Sequence, residues 1–109
     1  MNIINPSFTI LDDINQAAVL QRIEQVGRTC YKSEDKITAD SAADFVKMLI
    51  KRKHTAMLEH VSISVRFITD RGVTHEMVRH RLAAFAQEST RYCNYSKDKF
   101  NNEITVVRP

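Results

Sequence analysis

The side chains best suited to chemistry in this 109-residue sequence are concentrated between Val73 and Tyr95. The stretch reads VTHEMVRHRLAAFAQESTRYCNY, and five of its groups could hold an anion or a polar ring: Arg79, His80, Arg81, Ser89 and Arg91. The planar guanidinium of arginine binds phosphate or carboxylate through two parallel hydrogen bonds. On a helix Arg79 and Arg81 would point about 200° apart. We therefore expect them to serve different ligands, or a ligand and a second subunit, at a helix end.

The same arginines have a plainer interpretation as cations that complement the negative end of a helix dipole. Tyr92 and Tyr95 would then simply pack on a core. From residue types and spacing alone, the binding site and the dipole-matched helix end are equally open.

Metal binding and serine catalysis fit the sequence poorly. A zinc-binding helix places two histidines four residues apart, whereas His75 and His80 are five apart and would lie about 140° from each other. We predict no metal site, because His54 and His60 lie elsewhere without a cysteine pair beside them. Ser89 lacks the flanking glycines of a nucleophile elbow, so its hydroxyl is expected to hydrogen-bond a phosphate or the backbone. His54 and Ser89 are the candidates for a catalytic role, and neither is assigned one.

Length and composition predict one domain, residues 1–109, in a cytoplasmic protein. Hydrophobic residues make up 43% and charged residues 27%, which is ordinary for a globular chain, and no apolar run is long enough for a membrane span. The N-terminus lacks the pattern of a secretory signal, and Cys30 and Cys93 are expected to stay reduced. The net charge of +3 favours anionic partners, but basic residues do not alternate with aromatic ones, so we expect no nucleic acid.

Two amphipathic helices are predicted after a short first strand around Phe8 and Ile10. The first helix is indicated by apolar residues at spacings of four, three and four: Val19, Ile23, Val26 and Cys30. The second is indicated by one apolar face, formed by Ala42, Phe45, Val46, Leu49 and Ile50. Side chains just before each helix are expected to cap it: Asp12 or Asp13 for the first, and Thr38 or Asp40 for the second.

Alternation of apolar and polar residues then predicts a strand from Val61 to Thr69. Thr69 or Asp70 is expected to cap a third helix that begins near Val73, and a last strand is expected between residues 103 and 108. Residues 82–102 could be a loop or a continuation of that helix. The predicted fold class is α+β: a small mixed α/β domain in the order β-α-α-β-α-loop-β, with helices packed on an antiparallel or mixed sheet.

The Arg-His-Arg run at residues 79–81, followed after seven residues by Ser89, resembles the RHR-x7-S signature of the flavin-dependent thymidylate synthases. The surrounding sequence agrees, with His54 ahead of Leu58-Glu59-His60 and a strand, and with Arg91-Tyr92 just past the serine. Such a long signature with rare residues at fixed spacing is specific. The resemblance is strong between residues 54 and 95 and extends in element order to most of the chain.

The resemblance implies an enzyme that makes dTMP from dUMP. The methylene would come from methylenetetrahydrofolate, and the hydride would come from FAD that NADPH has reduced. Members of this family are homotetramers with active sites between subunits. Complete members continue well beyond the equivalent of Pro109, so we expect this chain to be an incomplete synthase that is inactive alone. The alternative is a non-catalytic nucleotide- or partner-binding module derived from the family.

The resemblance also assigns ligands to individual residues. The residues matching flavin-contacting positions are His54, Ala56, Arg79, His80, Arg81 and Gln87. The residues matching dUMP-binding positions are Glu76, Arg79, Gln87, Glu88, Ser89, Thr90 and Arg91. Two departures weaken the match: Ala56 stands where relatives often carry threonine or serine, and Ala86 replaces a residue that is polar in many relatives.

Overall fold

The computed structural model describes the backbone of residues 1–109 and every side chain except that of Asp98. Its strands and helices are, in chain order, β1 (Asn2–Ile4), β2 (Ser7–Ile10), α1 (Gln16–Tyr31), α2 (Ala42–Lys51), β3 (Val65–Ile68), α3 (Arg71–Met77) and β4 (Thr105–Val107). Three short 3-10 turns lie at Glu34–Lys36, Thr55–His60 and Asp98–Phe100. The mixed α/β class and the predicted element order are confirmed, with the first strand divided in two at Asn5 and Pro6.

The chain divides into two units. Residues 10–64 form one, called the helical unit here, and residues 1–9 with residues 65–109 form the other, called the sheet unit. The prediction of a single domain over residues 1–109 stays a prediction. In the described part of the chain, no helix combines the length and the apolar character that crossing a bilayer requires.

The helical unit is built on the packing of α1 against α2. Its core holds Ile23 from α1 and Phe45, Val46 and Leu49 from α2, as the helical periodicity predicts. Ile50 departs from that prediction, because its side chain is 54% exposed at the edge of the apolar face. At the far end of the α1 face Cys30 is also exposed, and its thiol contacts the sulfur of Met57 at 3.8 Å.

The predicted caps of both helices are wrong. Asn15 caps α1, and its Oδ1 accepts a hydrogen bond from Ala18 N at 3.1 Å. The Asp12 carboxylate instead accepts from the main-chain N–H of Ser64, a partner 52 residues away. Ser41 is the residue before α2, and its hydroxyl accepts from Thr38 N at 2.8 Å rather than capping the helix. Asp12 does not cap α1 because its carboxylate is bonded to a distant part of the chain.

The sheet unit contains two small sheets. β1 and β4 pair in parallel, with Asn2 opposite Thr105 and Ile4 opposite Val107. β2 and β3 form a second, antiparallel pair, on which Phe8 and Phe67 bring their ring centroids to 6.4 Å. The predicted last strand is confirmed as β4.

The predicted strand from Val61 to Thr69 is too long, because only Val65–Ile68 is a strand. Val61 packs against the apolar core of the helical unit, and the main-chain groups of Ser64 bond to Asp12 and Leu11. The alternating pattern thus covers both a non-strand segment before Val65 and the strand β3. Phe67, one of the apolar residues of the alternating pattern, is 51% exposed.

Helix α3 begins where the sequence predicts and ends early. Asp70 is its cap, since Asp70 Oδ1 accepts from Val73 N at 3.1 Å. The last helical residue is Met77, so Arg79 and Arg81 lie beyond the helix, and their expected 200° separation on helical faces does not apply. Residues 82–102 form a loop that contains the 3-10 turn at Asp98–Phe100, which settles the open alternative.

Candidate functional site

The Arg-His-Arg run emerges from a tight turn at the C-terminal end of α3. Arg79 N donates to Glu76 O at 3.2 Å and His80 N donates to Met77 O at 3.1 Å. These bonds satisfy two of the carbonyl groups that have no partner within the helix. Leu82 follows with a φ of 62°, a left-handed conformation that stops any further helix. The run is therefore presented at a sharp change of chain direction.

Arg79, His80 and Arg81 are all exposed. Neither guanidinium makes a hydrogen bond or ion pair to any residue whose side chain the structure describes. The plainer interpretation stays open, because a cation near a helix C-terminus complements the dipole without a direct bond to it. Ten N–H donors, five on each guanidinium, are left for a ligand.

The segment 87–91 carries most of the proposed dUMP contacts and is held against α3. Gln87 Nε2 donates to Thr74 Oγ1 at 2.7 Å. Arg71 Nη1 donates to the main-chain carbonyl of Glu88 at 3.3 Å. Arg71 and Thr74 are three residues apart, so they share one face of the helix. The structure therefore brings Gln87 and Glu88 to the same helix that precedes the Arg-His-Arg run.

Ser89 shapes the turn that follows. Its carbonyl accepts from Tyr92 N at 3.2 Å and from Cys93 N at 2.9 Å, and its hydroxyl accepts from Arg91 N at 3.3 Å. The hydroxyl is thus bonded to the backbone, one of the two roles predicted for it. No described side chain lies against it as a base. Thr90 and Arg91 project from this turn with exposed side chains.

The Glu88 side chain is tied to a second point of the loop. The Tyr95 hydroxyl donates to its carboxylate, and the Tyr95 ring packs on Phe100 with centroids 4.8 Å apart. The hydrogen bond to Glu88 is the main cause that raises the pKa of Tyr95 above 10.0, with burial and the charges of Glu88 and Cys93 adding to it. Tyr95 thus makes polar contacts besides the packing predicted for it.

An open groove of about 590 Å³ lies along the same loop. The residues that line it are Thr90, Arg91, Cys93, Asn94, Tyr95, Ser96, Asn102 and Ile104. The groove lies beside the segment 87–91, from which Thr90 and Arg91 contribute to its lining.

His54 and Ala56 lie in the helical unit. Lys53 adopts a φ of 59° at the end of α2, and His54 N donates to Leu49 O at 2.9 Å, which fixes the main chain there. His54 Nδ1 shares a hydrogen bond with the Tyr31 hydroxyl, and the two rings stack with centroids 6.1 Å apart. Ala56 is exposed in the turn Thr55–His60 and offers no hydroxyl. With Nδ1 engaged, Nε2 of His54 is the ring nitrogen left for a ligand.

Sequence reasoning missed Arg71 and Thr74 as supports of the segment 87–91, and it missed Tyr31 as the partner of His54 within the helical unit. A polar residue three positions after another on a predicted helix could have marked the pair Arg71 and Thr74. Glu76, a proposed dUMP contact, is exposed on α3. Among the side chains that the structure describes, no cluster of three histidine, cysteine, aspartate or glutamate residues could hold a metal ion.

Comparison with known proteins gives the chain a family. The sequence profile described as thymidylate synthase complementing protein matches residues 14–109. The chain is 40% identical over 102 residues to the flavin-dependent thymidylate synthase of Corynebacterium glutamicum, which covers 89% of this chain and 37% of that protein. It is 42% identical over 74 residues to the enzyme of the same name from Mycolicibacterium vanbaalenii, covering 64% of this chain and 29% of the relative.

A further relative of that name, from Mycobacterium leprae, is 43% identical over 75 residues, or 64% of this chain and 29% of the relative. The chain thus spans about a third of the length of the curated relatives it matches. No solved structure matches it. The profile match covers most of the sequence, including the RHR-x7-S signature, and this chain therefore belongs to the thymidylate synthase complementing protein family, that of the flavin-dependent thymidylate synthases.

Proposed function

We propose that this chain forms part of the site of a flavin-dependent synthase that converts dUMP to dTMP. The methylene comes from methylenetetrahydrofolate and the reductant is NADPH, acting through FAD. The observation that carries the proposal is that the segment 87–91 is bonded to α3, the helix that comes just before Arg79, His80 and Arg81. Alone, the chain is expected to be inactive and to need further polypeptide.

The exposed donors of the Arg-His-Arg run fit FAD. The cofactor carries two phosphates, and the guanidinium groups of Arg79 and Arg81 are free of partners within the described residues. His80 lies between them, exposed in the same turn. When bound and reduced, FAD supplies the hydride, while the residues of this chain bind and orient it.

Two residues of the helical unit are assigned to the flavin as well. His54 offers Nε2 to the ring, and its contact with the Tyr31 hydroxyl holds the imidazole in one orientation. Ala56 offers only a methyl group, so we expect a weaker flavin contact here than a threonine or serine would give. In the sheet unit, Gln87 is a further residue assigned to a flavin contact, which it would make with its amide.

The segment 87–91 is assigned to dUMP. Arg91 and Thr90 project from the Ser89 turn and would bind the phosphate, because a guanidinium and a hydroxyl both donate to phosphate oxygens. Glu88 accepts from Tyr95 and keeps further lone pairs for a sugar hydroxyl. Glu76 is the corresponding contact on α3. All of these groups bind and position the substrate, and none is required as a nucleophile.

The surface of the sheet unit supports a partner subunit. None of the described side chains in residues 1–9 and 65–109 is buried. Large apolar side chains exposed in this unit include Phe8, Phe67, Val73, Leu82 and Tyr92. Such surfaces are typical of protein interfaces. We propose a cytoplasmic homotetramer with sites between subunits, completed by a C-terminal region like that of the longer relatives.

A titration with FAD, followed by absorbance and combined with mass measurement in solution, tests the proposal. We expect FAD binding and dUMP binding, each weakened about tenfold or more by Arg79→Gln or Arg81→Gln, since each change removes a charge-assisted contact. Arg66→Gln, which removes an exposed arginine of β3, should leave both affinities unchanged.

Binding of dUMP without FAD would favour the non-catalytic module. Failure to bind either ligand would contradict the proposal, and dTMP production by the chain alone would contradict its incompleteness.

A further inference from the structure

We propose that Arg71 and Thr74 are positioning residues that fix the orientation of Gln87 and the place of the segment 87–91 on α3. The inference rests on the proposed function of that segment. Neither residue belongs to the RHR-x7-S signature. Both act through residues 87 and 88 and need no ligand contact of their own.

The loop depends on these side chains because its own backbone offers little support. Between residues 82 and 88, the structure shows no backbone–backbone hydrogen bond among the groups it describes. The main-chain bonds resume only at the Ser89 turn. What locates residues 87 and 88 relative to α3 is thus the Arg71 and Thr74 side chains. A loop without regular bonding opens at low free-energy cost unless such contacts hold it.

The Thr74 hydroxyl determines which way the Gln87 amide faces. It has one proton, and that proton is donated to Arg71 O at 3.1 Å. Toward Gln87 the hydroxyl can therefore only accept, so Gln87 must present its Nε2 group, 2.7 Å away. The Gln87 Oε1 atom is left as an acceptor for a ligand. The site would then favour a ligand that donates at this point, such as the N–H of a uracil or flavin ring.

Arg71 fixes the next residue through the main chain. Its Nη1 donates to the carbonyl of Glu88 at 3.3 Å, across 17 residues of sequence. Because the bond is to the backbone, it sets where the chain enters the Ser89 turn, whatever side chain stands at 88. Arg71 and Thr74 together therefore orient one side chain and anchor one peptide group at the start of the segment.

The test combines a structural and a binding measurement on four variants. Thr74→Val removes the hydroxyl and keeps the shape, and Thr74→Ser restores the hydroxyl. Arg71→Gln removes the guanidinium, and Arg66→Gln makes the same change on β3 as a control. We would measure amide 15N order parameters at Gln87 and Glu88, and the Kd for dUMP in the presence of FAD.

For Thr74→Val and Arg71→Gln, the order parameters should fall from about 0.85 to below about 0.6. The Kd for dUMP should rise about fivefold, which is the order expected for the loss of one hydrogen bond. Thr74→Ser and Arg66→Gln should match the wild-type chain in both measurements. A merely structural role for Thr74 would lower thermal stability without changing the Kd of the folded protein.

Two outcomes separate this inference from the proposed function. Wild-type order parameters in both Thr74→Val and Arg71→Gln would overturn the positioning role. A fall in the order parameters, with no dUMP binding by any of the proteins including wild type, would overturn the proposed function while the anchoring of the segment stands. Equal dUMP affinity in Thr74→Val and Thr74→Ser would overturn the assignment of the Gln87 orientation.

Discussion

Gly27 on α1 lies against the ring of Phe45 on α2, so closely that a Cβ atom at residue 27 would be 2.6 Å from Phe45 Cε1. The same Cβ would be 3.3 Å from Leu49 Cδ1. The Phe45 ring has further neighbours on α1, since the Arg28 guanidinium lies 4.2 Å from the ring centroid and the Tyr31 ring meets it edge-on. Glycine at 27 is what lets the two helices approach to this distance.

Gly27→Ala should therefore destabilise the chain by up to about 2 kcal/mol. Overpacking of a filled core costs about 1–3 kcal/mol, and the better helix propensity of alanine offsets about 1 kcal/mol of it. Urea unfolding followed by circular dichroism measures the change. The control is Gln21→Ala at an exposed position of α1, which should leave the packing of α1 on α2 unchanged. Equal loss of stability in the two variants would contradict the close helix packing.

The second prediction concerns Glu24, whose side chain is buried with 1% exposure. Its Oε1 accepts from Arg28 Nε at 3.1 Å, from Arg28 Nη2 at 3.0 Å and from Ser41 Oγ at 2.8 Å. The carboxylate thus ties α1 to the start of α2. Breaking one side of a buried ion pair leaves the other charge uncompensated, which costs several kcal/mol.

Glu24→Gln should lower the free energy of unfolding by about 3 kcal/mol, because the Arg28 guanidinium loses its counter-charge. The surface control Glu34→Gln, in an exposed turn, should change it by less than about 0.5 kcal/mol. Chemical denaturation of both variants measures the difference. The double variant Glu24→Gln with Arg28→Met should recover part of the loss, and a double variant no more stable than the sum of the single changes would contradict the pairing.

The helices of this protein could be predicted because their periodicity is local. Apolar residues three and four positions apart located both α1 and α2, and the core residues Ile23, Phe45, Val46 and Leu49 follow from that pattern. The caps could not be predicted, because several polar residues precede each helix and the choice among them depends on distant contacts. Asp12 is the clear case, since its carboxylate bonds to Ser64 N across 52 residues.

For the candidate site, too, the residues could be predicted from the sequence but their geometry could not. The RHR-x7-S spacing located Arg79, His80, Arg81 and Ser89 as candidates, but the geometry expected from it assumed a helix that reaches Arg81. The helix stops at Met77, and Leu82 in a left-handed conformation turns the chain away. Good helix formers between residues 82 and 88 could not reveal this, because propensity is a weak signal beside tertiary contacts. The three-residue spacing of Arg71 and Thr74 can be read from the sequence, but the loop groups that they contact cannot, because those contacts span 17 and 13 residues.

A third prediction follows from the shortness of α3. The helix has seven residues, and a helix of that length is not stable without its ends being satisfied. At the N-terminus of α3, the Asp70 carboxylate satisfies one free main-chain N–H group, that of Val73. Asp70→Ala should destabilise the helix by about 1 kcal/mol, whereas Asp70→Ser keeps a capping oxygen and should lose only a few tenths.

Amide hydrogen exchange at Thr74, Val78 and Arg79, whose N–H groups bond within or at the end of α3, measures this effect. Faster exchange of these amides is expected in Asp70→Ala and nearly unchanged exchange in Asp70→Ser. The amides of α1 serve as an internal control. If exchange in Asp70→Ala matched the wild-type chain, the capping bond would not stabilise α3.

The last prediction concerns the hydrogen bond from the Tyr95 hydroxyl to the Glu88 carboxylate, which raises the pKa of Tyr95 above 10.0. Because the folded pKa lies above the unfolded value, the contribution to stability is fully present below about pH 10 and is lost as the pH rises through the folded pKa. The phenolate would repel Glu88, so the segment 87–91 should loosen in the same pH range.

In a chain with Tyr31→Phe and Tyr92→Phe, Tyr95 is the only tyrosine left, and its phenolate absorbance reports the pKa directly. Adding Glu88→Gln should bring that pKa down toward 10.0, whereas Glu34→Gln should not, and an unchanged pKa in Glu88→Gln would mean that the two side chains do not meet in solution.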